Sequence, residues 1–96
     1  MGLKKKIIKK VKEKYFNAIL DGRKRFEVRL ADFECNPGDT LVLREQKGTT
    51  EDLSGRELNC DVLYKFNIKE IEQYYKKEDI EKHGLVILAV RKKYDL

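Results

Sequence analysis

Residues 22–45 read GRKRFEVRLADFECNPGDTLVLRE, and this stretch decides the expected fold. Charged and apolar residues alternate strictly over residues 25–30, which is typical of a half-buried strand with one charged face. Residues 32–39 contain the only proline, directly before a glycine, and predict a turn. Residues 40–45 alternate again. The stretch therefore predicts two strands joined through a turn.

The segments on either side supply further elements. Residues 4–12 suit a short strand with a lysine-rich face, although a turn of helix fits as well. Residues 13–21 place apolar side chains on one stripe and predict an amphipathic helix that ends at Gly22. A polar loop is expected at residues 46–55, and alternation over residues 56–66 predicts the longest strand of the chain.

The C-terminal part adds one helix and one strand. Residues 68–82 are rich in charge, with apolar residues at helical spacing, and predict a helix that closes before Gly84. Residues 85–91 are apolar on both faces, which predicts a central strand covered on both sides. Five strands and two helices in this order predict an α+β fold, either a small mixed sheet or a partly closed barrel with the helices outside.

Size and composition limit the class of protein. A chain of 96 residues and 11.4 kDa fits one domain over residues 1–96, which buries about 60–65 % of the surface of the unfolded chain. No apolar run approaches the roughly 18 residues of a membrane span, and no secretory signal is recognisable, so we expect a soluble protein. Two distant cysteines and one histidine favour the reducing cytoplasm and predict neither a metal site nor a cofactor.

The charge is placed unevenly. The net charge is +5, yet the first twelve residues carry six lysines and no acid, whereas the other 84 carry 16 basic and 17 acidic residues and sum to −1. Basic clusters recur at residues 23–29 and 91–93. Brought together by the fold, these clusters would attract phosphate, and scattered they would only aid solubility. The high charged fraction of 41 % also resembles that of heat-adapted proteins.

Two motifs within the central stretch resemble a known family. Residues 22–29 carry G-x-K-x-x-E-x-R, and residues 38–45 carry G-D-x-L-x-L-x-E. Together they resemble the ASCH domain of the PUA-like superfamily, in particular a small uncharacterised branch, and the resemblance extends over residues 11–90. It implies a small β-barrel of about five to six strands flanked by two helices. It also implies a cleft lined by the first motif and an association with RNA.

The resemblance leaves an enzymatic alternative. One ASCH group hydrolyses N4-acetylcytidine with a lysine, a threonine three residues later and a distant glutamate. Lys24 matches that lysine, whereas Glu27 stands where the threonine would be. A binding module for RNA or a nucleotide is therefore favoured. A hydrolase acting on a modified nucleoside or an RNA phosphodiester, with Lys24 and Glu27 as the catalytic pair, is the alternative.

The predicted nucleic-acid-binding residues are charged and lie in or near the two motifs: Arg23, Lys24, Arg25, Glu27, Arg29 and Glu45. The fork of donors on Arg29 suits a phosphate or a base edge, and Lys24 supplies a point charge. Glu27 either orients Arg29 or accepts a hydrogen bond from the exocyclic amine of a base. The plainer interpretation is a surface ion pair between Glu27 and Arg29, worth less than about 1 kcal/mol.

Other residues allow two interpretations each. The N-terminal lysines form either a solvated strand face or a contact surface for the RNA backbone. Four tyrosines belong either to the core or to a surface on which bases stack, namely Tyr15, Tyr64, Tyr74 and Tyr75. A further alternative is a protein-interaction domain in which the loop at residues 46–55 binds a protein partner. The oligomeric state stays open.

Overall fold

The computed structural model describes residues 3–93, which divide into two compact units with the boundary between Lys65 and Phe66. The elements of the first unit are β1 (Lys6–Lys12), α1 (Glu13–Leu20), β2 (Thr40–Gln46) and β3 (Leu53–Asp61). The second unit contains a 3₁₀ helix (Ile68–Gln73) and α2 (Lys77–His83). Among residues 3–93, no helix has both the length and the apolar character that crossing a membrane requires.

The first unit is built on a three-stranded sheet in the order β1-β2-β3. β1 runs parallel to β2, with Lys6 opposite Thr40 and Lys12 opposite Gln46, and β3 is antiparallel to β2. Parallel neighbours need a crossover connection, which here contains α1 and the irregular chain that leads to β2. The carboxyl ends of β1 and β2 therefore lie at the same edge of the sheet.

The core lies between α1 and one face of this sheet. It consists of the buried side chains Val11, Phe16, Leu41 and Leu43, with partly buried apolar residues packed around them. Alternation along β2 directs Leu41 and Leu43 to the same face, and Leu43 on the middle strand has no exposed surface. The helix supplies Phe16 as the residue that covers them.

A tight turn before β2 sets the register of the parallel pair. The buried carboxylate of Asp39 accepts hydrogen bonds from the backbone of Asn36 at 2.8 Å and of Lys5 at 3.2 Å, and the amide of Thr40 donates to the Lys5 carbonyl at 2.9 Å. These hydrogen bonds, that from Asn36 foremost, lower the pKa of Asp39. Gly38 has a φ of 97°, and a Cβ there would collide with the side chain of Lys4.

Several predicted elements are confirmed, whereas four others differ from their prediction. β1, α1, the turn and β2 lie where the sequence predicts them. Residues 25–30 form no strand, however, because their charged side chains bond to other groups while Val28 and Leu30 point into solvent, 51 % and 80 % exposed. The predicted strand at residues 56–66 is displaced, since β3 begins at Leu53 and ends at Asp61.

The barrel prediction is wrong. Within residues 3–93 only three strands pair, so the sheet is open, with β1 and β3 as its edges, rather than closed from five to six strands. A barrel requires every strand to have two neighbours. The coarser α+β class stands.

The second unit differs from its prediction in two ways. The predicted helix over residues 68–82 is divided, because Lys76 has an extended backbone between the 3₁₀ helix and α2. Residues 85–91 form no strand. An apolar run indicates that burial of the segment is favourable. The segment becomes a strand only where a neighbouring segment offers free backbone donors and acceptors.

Candidate functional site

A cleft of about 440 Å³ opens at the edge where β1 and β2 end. We call it the cleft. Its walls come from the end of β1, the first turn of α1, the end of β2 and residues 24–29. Its charged and aromatic side chains are Lys10, Lys12, Tyr15, Lys24, Phe26, Glu27 and Arg29. Ligand sites of open sheets with parallel strands characteristically lie at such an edge.

Residues 24–29 reach the cleft because α1 ends in a sharp reversal. The amide of Gly22, which has a φ of 81°, donates to the Ile19 carbonyl at 3.1 Å, and the amide of Lys24 donates to the Ala18 carbonyl at 2.9 Å. This conformation favours glycine. The chain then returns to β1, where Nη2 of Arg29 donates to the Lys10 carbonyl at 2.7 Å.

Glu27 connects two cations inside the cleft. Its Oε1 accepts a hydrogen bond from Nζ of Lys24 at 2.7 Å, and its Oε2 accepts one from Nε of Arg29 at 2.9 Å. The side chains of Lys24, Glu27 and Arg29 are 16 %, 17 % and 28 % exposed. Both oxygens of the carboxylate are therefore engaged within the protein, and of its two predicted roles, orienting Arg29 is the one that this geometry fits.

Donors remain for a ligand. Arg29 uses Nε and Nη2, and among the described residues its Nη1 has no hydrogen-bond partner. Lys24 donates to Glu27 and to the Phe26 carbonyl, which leaves its ammonium one further N–H. An anion that entered the cleft could accept from both groups.

Aromatic rings stand beside these donors. The Nζ of Lys24 lies 4.7 Å from the centre of the Phe26 ring and 5.6 Å from that of Tyr15. Tyr15 is 41 % exposed, so its ring has surface open to a ligand. A cation near a ring is stabilised by the negative face of the ring. The cleft thus combines positive charge with flat apolar surface.

Of the six predicted site residues, the structure brings together Lys24, Glu27 and Arg29. Arg23 does not line the cleft, and its exposed guanidinium pairs with Asp21 at 2.9 Å. Arg25 is also exposed and donates to the Gly22 carbonyl at 3.1 Å. The alternation predicted over residues 25–30 places Arg25 on one face with Glu27 and Arg29, but Arg25 bonds to the turn after α1 and does not line the cleft.

Glu45 belongs to a different cluster. It is only 4 % exposed and accepts hydrogen bonds from Oγ of Ser54 at 2.6 Å and from Nε and Nη2 of Arg56 at 2.9 and 2.6 Å. These bonds, foremost those from Arg56, lower the pKa of Glu45 to about 2. Arg56 also donates to Asn17 at 2.9 Å and lies over the Phe16 ring. This network joins β2, β3 and α1, and none of its own residues lines the cleft.

Sequence reasoning identified two of the cleft lysines only as members of a group. Lys10 and Lys12 belong to the lysine-rich N-terminus, but the sequence did not distinguish them from the other four lysines there. Strand parity could have separated Lys9 from Lys10, and the crossover that brings residues 24–29 to β1 could not have been foreseen. No cluster of His, Cys, Asp and Glu suited to a metal occurs among residues 3–93.

Comparison with known proteins gives one match. The model of a family described as a domain of unknown function, DUF3850, matches residues 8–89, which include all residues of the cleft. No curated protein and no solved structure matches the chain.

Proposed function

We propose that this chain, which belongs to the DUF3850 family, is an RNA-binding module that holds an unpaired nucleotide in the cleft. The observation that carries the proposal is the bridge of Glu27 between Lys24 and Arg29, which holds two cations next to each other in the lining of one concave space. A preoriented pair of this kind suits a phosphate group.

The charge of the cleft supports a phosphate ligand. Four cationic side chains and one carboxylate line it, so the lining sums to +3. Binding of nucleic acid by such a surface releases condensed counterions and weakens as salt rises.

The shape and the rings of the cleft support an unpaired base. A volume of about 440 Å³ lies within the range of small-molecule sites, which is about 300–1,000 Å³. The partly exposed ring of Tyr15 offers surface for stacking, and stacking on aromatic side chains is a common way of holding single-stranded RNA. A base within a duplex could not enter.

The resemblance to the ASCH domain supports the same ligand class. The three motif residues Lys24, Glu27 and Arg29 are those that line the cleft, and ASCH and other PUA-like domains are associated with RNA. A cytoplasmic location is part of the proposal, supported by the free thiols of Cys35 and Cys60. Heat adaptation is proposed from composition alone.

A titration of labelled single-stranded RNA, followed by fluorescence anisotropy at several salt concentrations, tests the proposal. Arg29→Ala is expected to weaken binding about ten- to hundredfold, since a hydrogen bond to a charged group is worth about 1.5–3 kcal/mol. Arg23→Ala is the matched control, because Arg23 pairs with Asp21 and does not line the cleft. Circular dichroism confirms that both variants fold. Absence of salt-dependent binding by the unaltered protein would contradict the proposal.

The hydrolase alternative gains less from the geometry. A lysine that acts as base or nucleophile must be without its proton, whereas both contacts of the Lys24 Nζ are hydrogen-bond acceptors that suit an ammonium. Incubation with N4-acetylcytidine and with labelled RNA separates the alternatives. Turnover that is lost in Lys24→Met would establish an enzyme.

A further inference from the structure

The outer face of β1 carries a row of lysines that leads into the cleft. Alternation along the strand exposes Lys6, Ile8, Lys10 and Lys12 on one face, whereas Ile7, Lys9 and Val11 turn to the other. Lys10 and Lys12 line the cleft, and Lys6 lies beyond it on the same strand face. We call Lys6, Lys10 and Lys12 the lysine row.

The positive charge of the lysine row is not paired with negative charge among the described residues. In the part of the chain that the structure describes, none of its three ammonium groups pairs with a carboxylate or takes part in a side-chain hydrogen bond. The first twelve residues contain no acidic residue at all. Unpaired cations in a line repel one another, and an anionic polymer laid along them would relieve that repulsion.

Lys9 does not belong to the lysine row, because it lies on the other face of β1. Its side chain leaves β1 on the opposite face, and its Nζ stands 3.8 Å from the centre of the Phe33 ring. The strand therefore presents its remaining lysines along one line rather than around its circumference. From Lys6 to Lys12 this line is about 20 Å long, at about 3.3 Å per residue.

We infer that the lysine row is a track for the phosphate backbone of a single strand whose terminal or looped-out nucleotide occupies the cleft. This inference rests on the proposed function and extends it to the form and length of the ligand. Because Lys10 and Lys12 already line the cleft, only about 13 Å of this line, from Lys6 to Lys10, lies beyond it. That length accommodates about two extended nucleotides, so the site spans about three. A single row of cations matches one backbone, whereas a duplex presents two.

Competition by unlabelled RNA against a labelled six-nucleotide single strand measures the length of the site. Affinity is expected to rise from one to about three nucleotides and then to level off. A blunt-ended duplex with the same number of phosphates, which has no unpaired nucleotide, is expected to compete more weakly. Equal competition by a mononucleotide and a hexamer would overturn the track while leaving the cleft in place.

Three matched substitutions test the face of β1. Lys6→Gln and Lys10→Gln are expected to reduce the slope of log affinity against log salt by about 0.7 each, because each removes one phosphate contact to a single strand. Lys9→Gln removes the same charge from the other face and is expected to leave the slope unchanged. A reduction by Lys9→Gln equal to that by Lys6→Gln would overturn the track, since it would show general attraction instead. If the unaltered protein binds no RNA of any length, the proposed function itself fails.

Discussion

Glu27 holds the cleft in shape because its two carboxylate oxygens bind two different cations. The ion pairs are mostly shielded from solvent, with Glu27 only 17 % exposed, so they are screened less than pairs on an open surface. A surface pair of similar residues would contribute little to stability or to orientation. Glu27 is thus a positioning residue, and Arg29 is the group it positions.

Glu27→Gln tests this role. The substitution removes one negative charge from the cleft, so attraction to RNA at low salt is expected to persist or to increase. At high salt, where oriented contacts dominate, affinity is expected to fall several-fold, since Arg29 loses its charged partner. Anisotropy titrations at two salt concentrations measure both effects. Tighter binding at every salt concentration would show that Glu27 merely repels the ligand.

At the scale of elements, Glu45 and Arg56 link β2 to β3 and to α1. A buried carboxylate requires a partner, and here Arg56 and Ser54 both supply hydrogen bonds. The sequence placed Glu45 among the predicted nucleic-acid-binding residues, because it belongs to the second motif. Its contacts, however, engage both carboxylate oxygens and lie where the register between β2 and β3 shifts.

The lowered pKa of Glu45 predicts how stability depends on pH. Because the folded pKa is about 2 and the ordinary value is 4.5, the contribution of Glu45 is complete above pH 5. It is lost as pH falls through the folded pKa. The free energy of unfolding is therefore expected to decrease between about pH 5 and pH 2. In Glu45→Gln this component is absent, so the difference in stability between the variant and the unaltered protein shrinks over that range. Urea unfolding at several pH values measures it, and a constant difference would refute the assignment.

At the scale of the whole molecule, we expect the stability of the first unit to depend on its small core, which surrounds β2, the middle strand of the sheet. Leu43 is completely buried, while Leu30, which strand alternation predicts to be inside, is 80 % exposed. These two leucines allow a direct comparison of core and surface in one unit.

Leu43→Ala is expected to reduce the free energy of unfolding by about 2–5 kcal/mol, because it leaves a cavity beside Phe16. Leu30→Ala is expected to change it by no more than about 0.5 kcal/mol. Chemical denaturation monitored by circular dichroism gives both values. A large loss from Leu30→Ala would show that residues 25–30 are packed as a strand after all.

Predictions from the sequence hold where the signal that carries them is local. β1, α1 and β2 are recognised from sequence because hydrophobic period, a glycine after the helix and a proline-glycine turn are local signals. The cleft residues Lys24, Glu27 and Arg29 are found because they share one short motif. Residues 25–30 mislead because their alternation is real. Glu27 and Arg29, however, pair with each other in the cleft, Arg25 bonds to the turn after α1, and no neighbouring strand pairs with the backbone.

By itself, the sequence determined the α+β class, the order of the first elements, and the concentration of lysines near the start of the chain. Only the tertiary structure decided that the sheet stays open within the described residues, that Glu45 bonds to Arg56, and that Lys10 and Lys12 reach the cleft. The physical reason is how far apart in the sequence the interacting residues lie. Local patterns follow from the geometry of neighbouring residues, whereas strand pairing, charge partners and the walls of a cavity join segments far apart in the chain.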